Sequence, residues 1–460
     1  MFQTEVYIQR RKILSEKIGT GLILFFGNDE SPMNYTDNTY HFRQHSSFLY
    51  YFGIDFPSLA AIIDVDNDRQ VIFGDDFTID DIVWRGPQPT IAERARQCGI
   101  SETQPLVKLF TILKEAQASR RVIHFLPLYR PENKIKLLRY LNIRPDEVRV
   151  NASLDLVKAV ISQREIKSEY EISEIEKAVN LSVDMHVEAM KIARPGMTEA
   201  QVAARVHEVV LAQNCNLSFP IIATIQGQTL HNHAHHNILK DGDLFLLDAG
   251  AESPMHYAGD LSSTFPVGKH FTPIQRQVYE LSLKAHEAAI AAIAPGVSFR
   301  EVHGAACHSI ASSMKELGLM KGDVAEAVAE GVHALFFPCG TGHMMGLDVH
   351  DMEDLGEVWV GYNGEPKSAQ FGLKSLRLGK TLLPGHVFTI EPGIYFIPEL
   401  IDLWQSEHKF DDFLNWSEIE KFRNFGGIRN EEDFLVTDNG FRVLGKSKPK
   451  SIAEVEYLRV

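Results

Sequence analysis

Asp241–Gly250, DGDLFLLDAG, and Gly385–Gly393, GHVFTIEPG, are two versions of one pattern. Aligned without gaps from Gly242 and Gly385, both read Gly-x-apolar-Phe-x-apolar-acid-x-Gly. In each, an apolar run of strand character ends on a carboxylate, Asp248 in the first and Glu391 in the second. A further acid follows each strand: Asp260 in HYAGDLSSTF and Glu431 in GGIRNEEDF. A single Asp at a strand end is most often a turn residue, because its side chain closes Asx turns. The echo changes that reading. Glu391 ends an apolar strand, a costly place for a lone charge, and buried carboxylates held close together repel unless a cation neutralises them. Asp248, Asp260, Glu391 and Glu431 therefore read as two half-sites of a cage for two divalent metal ions.

The repeat extends outward from these strands. RPGMTEAQV (194–202) and APGVSFREV (294–302) lie one hundred residues apart. Each has Pro-Gly, an apolar residue and then a capping box, Thr198 with Gln201 and Ser298 with Glu301. Upstream, residues 167–193 have the spacing of a long amphipathic helix, with Ile172, Ile175, Ala178 and Val179 on one stripe. The pattern predicts a duplicated α/β unit from about residue 165 to 460, with its site at the pseudo-twofold seam. Two stretches interrupt the second copy: residues 354–381, loop-like and glycine-rich, and residues 397–425, polar and helix-like. They are expected to shape substrate access.

A neutral ligand is expected from PCGTGHMMGLDVHD (338–351), where Gly340, Gly342 and Gly346 let the backbone approach a site closely. On its own a His here is a loop His; in this company His343 is the choice of ligand. Four carboxylates and one imidazole form a hard donor set that favours manganese, with cobalt, zinc or iron also suited. Two metals sharing carboxylates can hold a bridging hydroxide and polarise a carbonyl, which is machinery for hydrolysis. HNHAHH (231–236) reads as a metal site, a solvated loop or the source of one proton-handling His.

The first 155 residues alternate strand-like and helix-like pieces and predict an N-terminal α/β domain. It has no glycine-rich phosphate loop and no cluster of metal-ligand types, so catalysis is not expected there. HFRQHSSFLYYFG (41–53) reads as core plus interface. At 460 residues the chain exceeds one ordinary core. A net charge of -15 argues against a nucleic-acid or anionic-membrane partner, since either calls for clustered Lys and Arg. No stretch approaches a membrane span and the N-terminus lacks a signal-peptide apolar run. The cysteines at 98, 215, 307 and 339 are scattered without a CxxC, which argues against disulfides or a zinc knuckle and fits reduced thiols in the cytoplasm.

LLDAG, YAGDLSSTFPV, GHMMGLDVHD, FTIEPGIY and GGIRNEED together resemble the pita-bread metallopeptidases, specifically the Xaa-Pro aminopeptidase (aminopeptidase P) and Xaa-Pro dipeptidase (prolidase) group. The resemblance covers nearly the whole chain. RQHSSFLYYFG is similar to the group's N-terminal, creatinase/aminopeptidase P-like domain. It implies a C-terminal duplicated pita-bread α+β catalytic domain over 165–460, and an N-terminal α/β domain over 1–155 serving oligomerisation and substrate access. The residue roles it implies are specific. Asp248 is a terminal ligand of one metal, His343 and Glu391 bind the other, and Asp260 and Glu431 bridge both. Glu391 also assists proton transfer, His231 stabilises the reacting peptide, and His350 contacts the scissile carbonyl or the proline side. Arg429 supports the ligands, with Tyr395 nearby. Cys339 stands where the group usually has His, and Asn430 where an aliphatic residue is usual. The implied activity is metal-dependent hydrolysis of N-terminal Xaa–Pro bonds in peptides or dipeptides by a homodimer or homotetramer. The longer insertions are especially similar to prolidases. A proline nitrogen without N–H and with a fixed φ is what a ring-shaped pocket would select. A non-catalytic binding member of the same fold, or a metal-free amidinohydrolase like creatinase, would be expected to have lost ligands; all five positions are intact here.

Overall fold

Leu22–Phe26, Ala60–Asp64, Arg69–Phe73, Glu102–Gln104 and Ile123–Phe125 form one mixed sheet. The first two of these strands are buried along their whole length, which is why they read as continuous apolar runs rather than alternating ones. They pair antiparallel, Leu22 opposite Asp64, while Ile123–Phe125 adds in parallel to the outer side of Leu22–Phe26. One face packs Leu24, Ile62 and Val71 against Leu109, Leu113 and Leu137. Against the other lies helix Ser46–Phe52, buried at every residue, with the rings of Tyr51 and Phe52 at 5.2 and 5.6 Å from Phe25. The aromatic segment is thus core. The buried guanidinium of Arg11 donates to Gln70 Oε1, Tyr51 O and Cys98 O, which is what makes an interior cation tolerable.

The computed structural model describes residues 1–459 and divides into two compact units: Met1–Arg164 with Glu353–Gly356, and Glu165–Met352 with Glu357–Val460. The sheet just described belongs to the first.

The second unit is built twice. Helices Glu169–Ile192 and Glu199–Leu211 pack together in one half, Pro273–Ala291 and Phe299–Glu316 in the other. Both capping boxes form: Thr198 with Gln201, and Ser298 with Glu301. Each Pro-Gly break uses its glycine at positive φ, +90° at Gly196 and +87° at Gly296, a backbone state that glycine adopts without steric cost. Their amides donate to Leu239 O and Leu382 O, both at 2.8 Å. The same hundred-residue offset relates His186 to His286, both buried in the first helix of their half.

The two acid-bearing strands are equivalent as well. Leu244–Asp248 pairs antiparallel with Ser262–Pro266, Asp248 opposite Ser262. Val387–Ile390 pairs antiparallel with Glu432–Thr437, Ile390 opposite Glu432. Hydrogen bonds then join the halves along a seam: Glu431 N to Ser262 O at 3.1 Å, Arg429 N to Thr264 Oγ1 at 3.1 Å, and Thr264 Oγ1 to Arg429 O at 3.0 Å. Residues 354–381, expected to be loop-like, are punctuated by helix Glu357–Tyr362 and 3₁₀ turns at Glu353–Leu355 and Leu373–Ser375. Residues 397–425 carry helices Pro398–Ser406 and Trp416–Ile419. Among the described residues no helix is long and apolar enough to cross a membrane.

Candidate metal centre

A strand end is where a side chain can leave the ladder and face a cavity, and both echoing strands end at the seam. Asp248, Asp260, His343, Glu391 and Glu431 all line one cavity of about 560 Å³, with His231, His350 and Arg429. Donor atoms of Asp260, His343 and Glu431 lie within 4.8 Å of one another. His343 Nε2 is 3.3 Å from Asp260 Oδ2 and 3.8 Å from Glu391 Oε1.

The backbone fixes these positions. Gly342 lies so close to Thr389 that a Cβ there would sit 1.9 Å from the Thr389 carbonyl oxygen. This approach lets Thr389 N donate to His343 O and Glu391 N donate to Thr341 O, at 3.0 and 2.7 Å. The His343 loop is thereby zipped to the Glu391 strand. His343 Nδ1 lies 3.1 Å from Met344 O; donating there leaves Nε2 with its lone pair toward the carboxylates, the orientation a metal ligand needs.

The electrostatics favour cations. Burial and then repulsion from Asp248 raise the Asp260 carboxyl well above the usual carboxylate range. Burial followed by repulsion from Asp260 and Glu391 does the same to Glu431. Burial also raises Glu391, against the pull of His343 and Arg429. Four acids share the cavity with one deeply buried cation, Arg429. Its Nη2 donates to Asp248 Oδ2 at 2.6 Å, its Nη1 to the Tyr395 hydroxyl at 3.0 Å, and its Nε to Ser262 Oγ at 2.9 Å. Burial opposes the Arg429 charge, but Tyr395 and Asp248 hold it protonated. Arg429, even with Arg377 on the same cavity, cannot balance four carboxylates; a dense oxygen set with one imidazole fits divalent ions.

Around this cluster, the ring of His350 lies 4.0 Å from that of His343. His231 is exposed on the cavity wall, and its neighbours in HNHAHH spread apart: His233 lines the same cavity, while His235 Nε2 lies 3.2 Å from Ile221 O. Burial lowers the pKa of His350, and partial desolvation against the cavity wall lowers that of His231. Cys339 also borders the cavity, with burial pushing its thiol up to about 12.

Three contributors escape sequence reading. Arg377 enters the cavity from the glycine-rich insertion, half-desolvated, with its charge acting on Glu391 and His343. Ser262 donates to Glu431 Oε2 at 2.8 Å while accepting from Arg429. Asp433 accepts from Asp260 N at 3.1 Å. An arginine flanked by leucines between Gly372 and Gly379 was the available sign of the first; serine and aspartate in strands carry none.

Residues 173–438 match the model of metallopeptidase family M24. The chain belongs to this family. Residues 7–124 match the aminopeptidase P N-terminal domain. Among curated M24 relatives, the Xaa-Pro dipeptidase of Homo sapiens is 28% identical over 454 residues, covering 95% of this chain and 88% of that one. A probable Xaa-Pro aminopeptidase of Chaetomium globosum is 28% identical, covering 92% and 78%. Among solved structures, Pseudomonas aeruginosa aminopeptidase PepP superposes with a TM-score of 0.82 at 26% identity, over 100% of this chain and 98% of that one. Zinc-substituted E. coli aminopeptidase P in complex with product gives 0.81 at 27%, with the same coverage. The N-terminal domain followed by an M24 domain is therefore the architecture of this chain.

Proposed function

We propose that this M24 member is a metal-dependent exopeptidase that hydrolyses the N-terminal Xaa–Pro bond of peptides or dipeptides. The observation that carries the reading is the convergence of Asp248, Asp260, His343, Glu391 and Glu431 in one cavity of a chain similar, end to end, to Xaa-Pro dipeptidases and aminopeptidases.

These five residues would hold two divalent ions, with Asp260 and Glu431 shared between them, Asp248 on one and His343 and Glu391 on the other. Manganese is the proposed native metal, because the donor set is hard and oxygen-rich. Bound ions supply an activated water and Lewis-acid polarisation of the scissile carbonyl. Glu391 Oε1 takes a proton from the attacking water and passes it to the departing proline nitrogen. Its carboxylate suits this task, being the most accessible of the four at 23% exposure. His231 and His350, on the cavity wall, donate to the oxygen on which charge develops. Arg429 anchors Asp248 and Tyr395 so that the ligand cage keeps its shape.

Arg377 brings positive charge to the same cavity, complementary to the free carboxylate of a dipeptide. Arg377→Met is expected to raise KM for an Xaa-Pro dipeptide more than for an Xaa-Pro-Xaa tripeptide; equal changes would remove this role. The proposed domains are residues 1–155, for assembly and access, and 165–460, for catalysis. Assembly into a homodimer or homotetramer is checked by light scattering. A cytoplasmic setting is supported by four cysteines that form no disulfide.

The deciding assay is hydrolysis of Xaa-Pro dipeptides and Xaa-Pro-Xaa tripeptides with manganese added, before and after a chelator. Turnover that the chelator abolishes and manganese restores is expected. Metal-loaded protein inert on both substrates would overturn the reading.

A further inference from the structure

We propose that His303, Cys307 and His333 form a second metal site, structural in role, for a thiophilic divalent ion of the zinc type. Nothing in the hydrolytic chemistry above uses these residues.

His303 and Cys307 are one turn apart on helix Phe299–Glu316, so their side chains share a face. His333 comes from the 3₁₀ turn Val332–Leu335. One donor atom from each lies within 4.8 Å of the other two, and all three residues are buried. Tetrahedral zinc, with Zn–N of about 2.0–2.1 Å and Zn–S of about 2.3 Å, spaces its donors roughly 3.3–3.6 Å apart. Cys307 Sγ and His303 Nε2 are already 3.3 Å apart.

The outer contacts have the form that metal ligands take. His303 Nδ1 lies 2.8 Å from the Thr341 hydroxyl, which fixes the ring and aims Nε2 at the thiol. His333 is 4% exposed, and its buried Nδ1 has no hydrogen-bond partner. A core histidine ordinarily pairs its buried nitrogens, because an unpaired one keeps the full cost of its desolvation. The ring of Phe337, 5.6 Å from His303, closes the cluster against the apolar core.

One thiol and two imidazoles prefer a borderline-soft ion, whereas the carboxylate cage prefers a hard one. The chain would thus sort two kinds of ion by donor chemistry. On binding, Cys307 loses its thiol proton to solvent, and the S–H···N contact with His303 is replaced by two bonds to the ion. The ion would tie the helix to the 3₁₀ turn and, through Thr341, to the loop that carries His343 and receives Glu391 N. The site stands whether or not the chain cleaves Xaa–Pro bonds.

Cobalt(II) added to the metal-stripped, full-length protein tests this, with folding checked by circular dichroism. Thiolate bound to cobalt gives a near-ultraviolet charge-transfer band, and none of the five catalytic ligands is a cysteine. The expected result is a band whose full intensity corresponds to one of three bound equivalents and is reversed by zinc. It should persist in Asp260→Asn and vanish in Cys307→Ser and His333→Phe, each of which loses one of three bound equivalents. Absence of the band in folded wild-type protein would overturn the site, and that outcome needs no variant to fold. A band that survives Cys307→Ser would overturn it as well.

Discussion

The two halves of the duplicated unit share a backbone plan but differ in how completely their polar groups are paired. In the first half His186 has a partner at each nitrogen, Ser263 Oγ at 2.9 Å and Ala249 O at 3.0 Å. Ser182, four residues earlier, donates to Ala178 O and accepts from Ala251 N. At the equivalent places of the second half, His286 Nε2 and Ser282 Oγ are buried without a hydrogen-bond partner, Glu432 Oε2 lying 3.9 Å from the His286 nitrogen. The strand-end acids differ in the same sense. Asp248 is held by Arg429, whereas Glu391 faces the cavity with His343 as its nearest cation-forming neighbour. The first half is a satisfied scaffold, and the second carries the proposed base, the histidine ligand and both insertions.

The sharpest break of that comparison is at the two acids. Glu391→Ala is expected to lower kcat by about 10²–10⁴-fold or more, with little loss of thermal stability, since it removes one of several repelling carboxylates. Asp248→Ala leaves the buried Arg429 charge without its partner, so it should destabilise the fold by about 3–5 kcal/mol as well as reduce metal content. Calorimetry with elemental analysis reads both. Equal losses of stability would erase the distinction between scaffold and working half.

A next test uses the close backbone contacts. A Cβ at Gly250 would lie 1.9 Å from Gly259 O, and one at Gly342 the same distance from Thr389 O. Alanine at either is expected to cost about 1–3 kcal/mol or more in denaturant unfolding. Gly342→Ala should in addition depress turnover, because Thr341 and His343 flank it; undiminished activity in folded protein would show the His343 loop to be less constrained than its contacts imply.

The buried histidines give smaller effects. His186→Leu strands two partners and should cost about 1–3 kcal/mol, whereas His286→Leu removes a ring whose Nε2 makes no hydrogen bond and should cost less. The reverse order in urea unfolding would overturn the reading of the first half as the better satisfied.

Smallest per unit change is the response to pH. Burial pushes both His186 and His286 down to about 3, from roughly 6.5 in an unfolded chain. The fold keeps them neutral, so the unfolded state binds more protons below pH 6.5. Their contribution to stability is present above that value and is lost as pH falls toward 3. Each steepens the loss by up to about 1.4 kcal/mol per pH unit. The Tm of His186→Leu should therefore fall less steeply than wild type between pH 6.5 and 4.5; parallel profiles would show that His186 does not drive the acid response.

Much of the second unit was legible because its signals are local. A capping box needs only the residues within one turn, and a strand that ends on an acid shows itself within ten residues. The aromatic segment around Tyr51 was readable as core for the same reason. The meeting of the four acids in one cavity was legible, since the echo of Asp248 in Glu391 pointed to paired half-sites. Arg377 was not, because an arginine in a glycine-rich insertion looks like any solvated loop residue until the chain path turns it inward. Nor could the chain order show that Ser262 reaches both Glu431 and Arg429.

The amino-acid sequence alone therefore determined the duplicated plan, the elements at each end of it and the acids at the seam. Periodicity, caps and turns are short-range properties that act before distant parts meet. Tertiary structure alone decided which groups share a charge environment. It placed Arg429 on Asp248 and left His286 half-paired. It also turned three residues with no recognisable motif, His303, Cys307 and His333, toward one another. Those outcomes depend on packing between segments far apart in the chain, and no local pattern encodes the direction in which a buried side chain finally points.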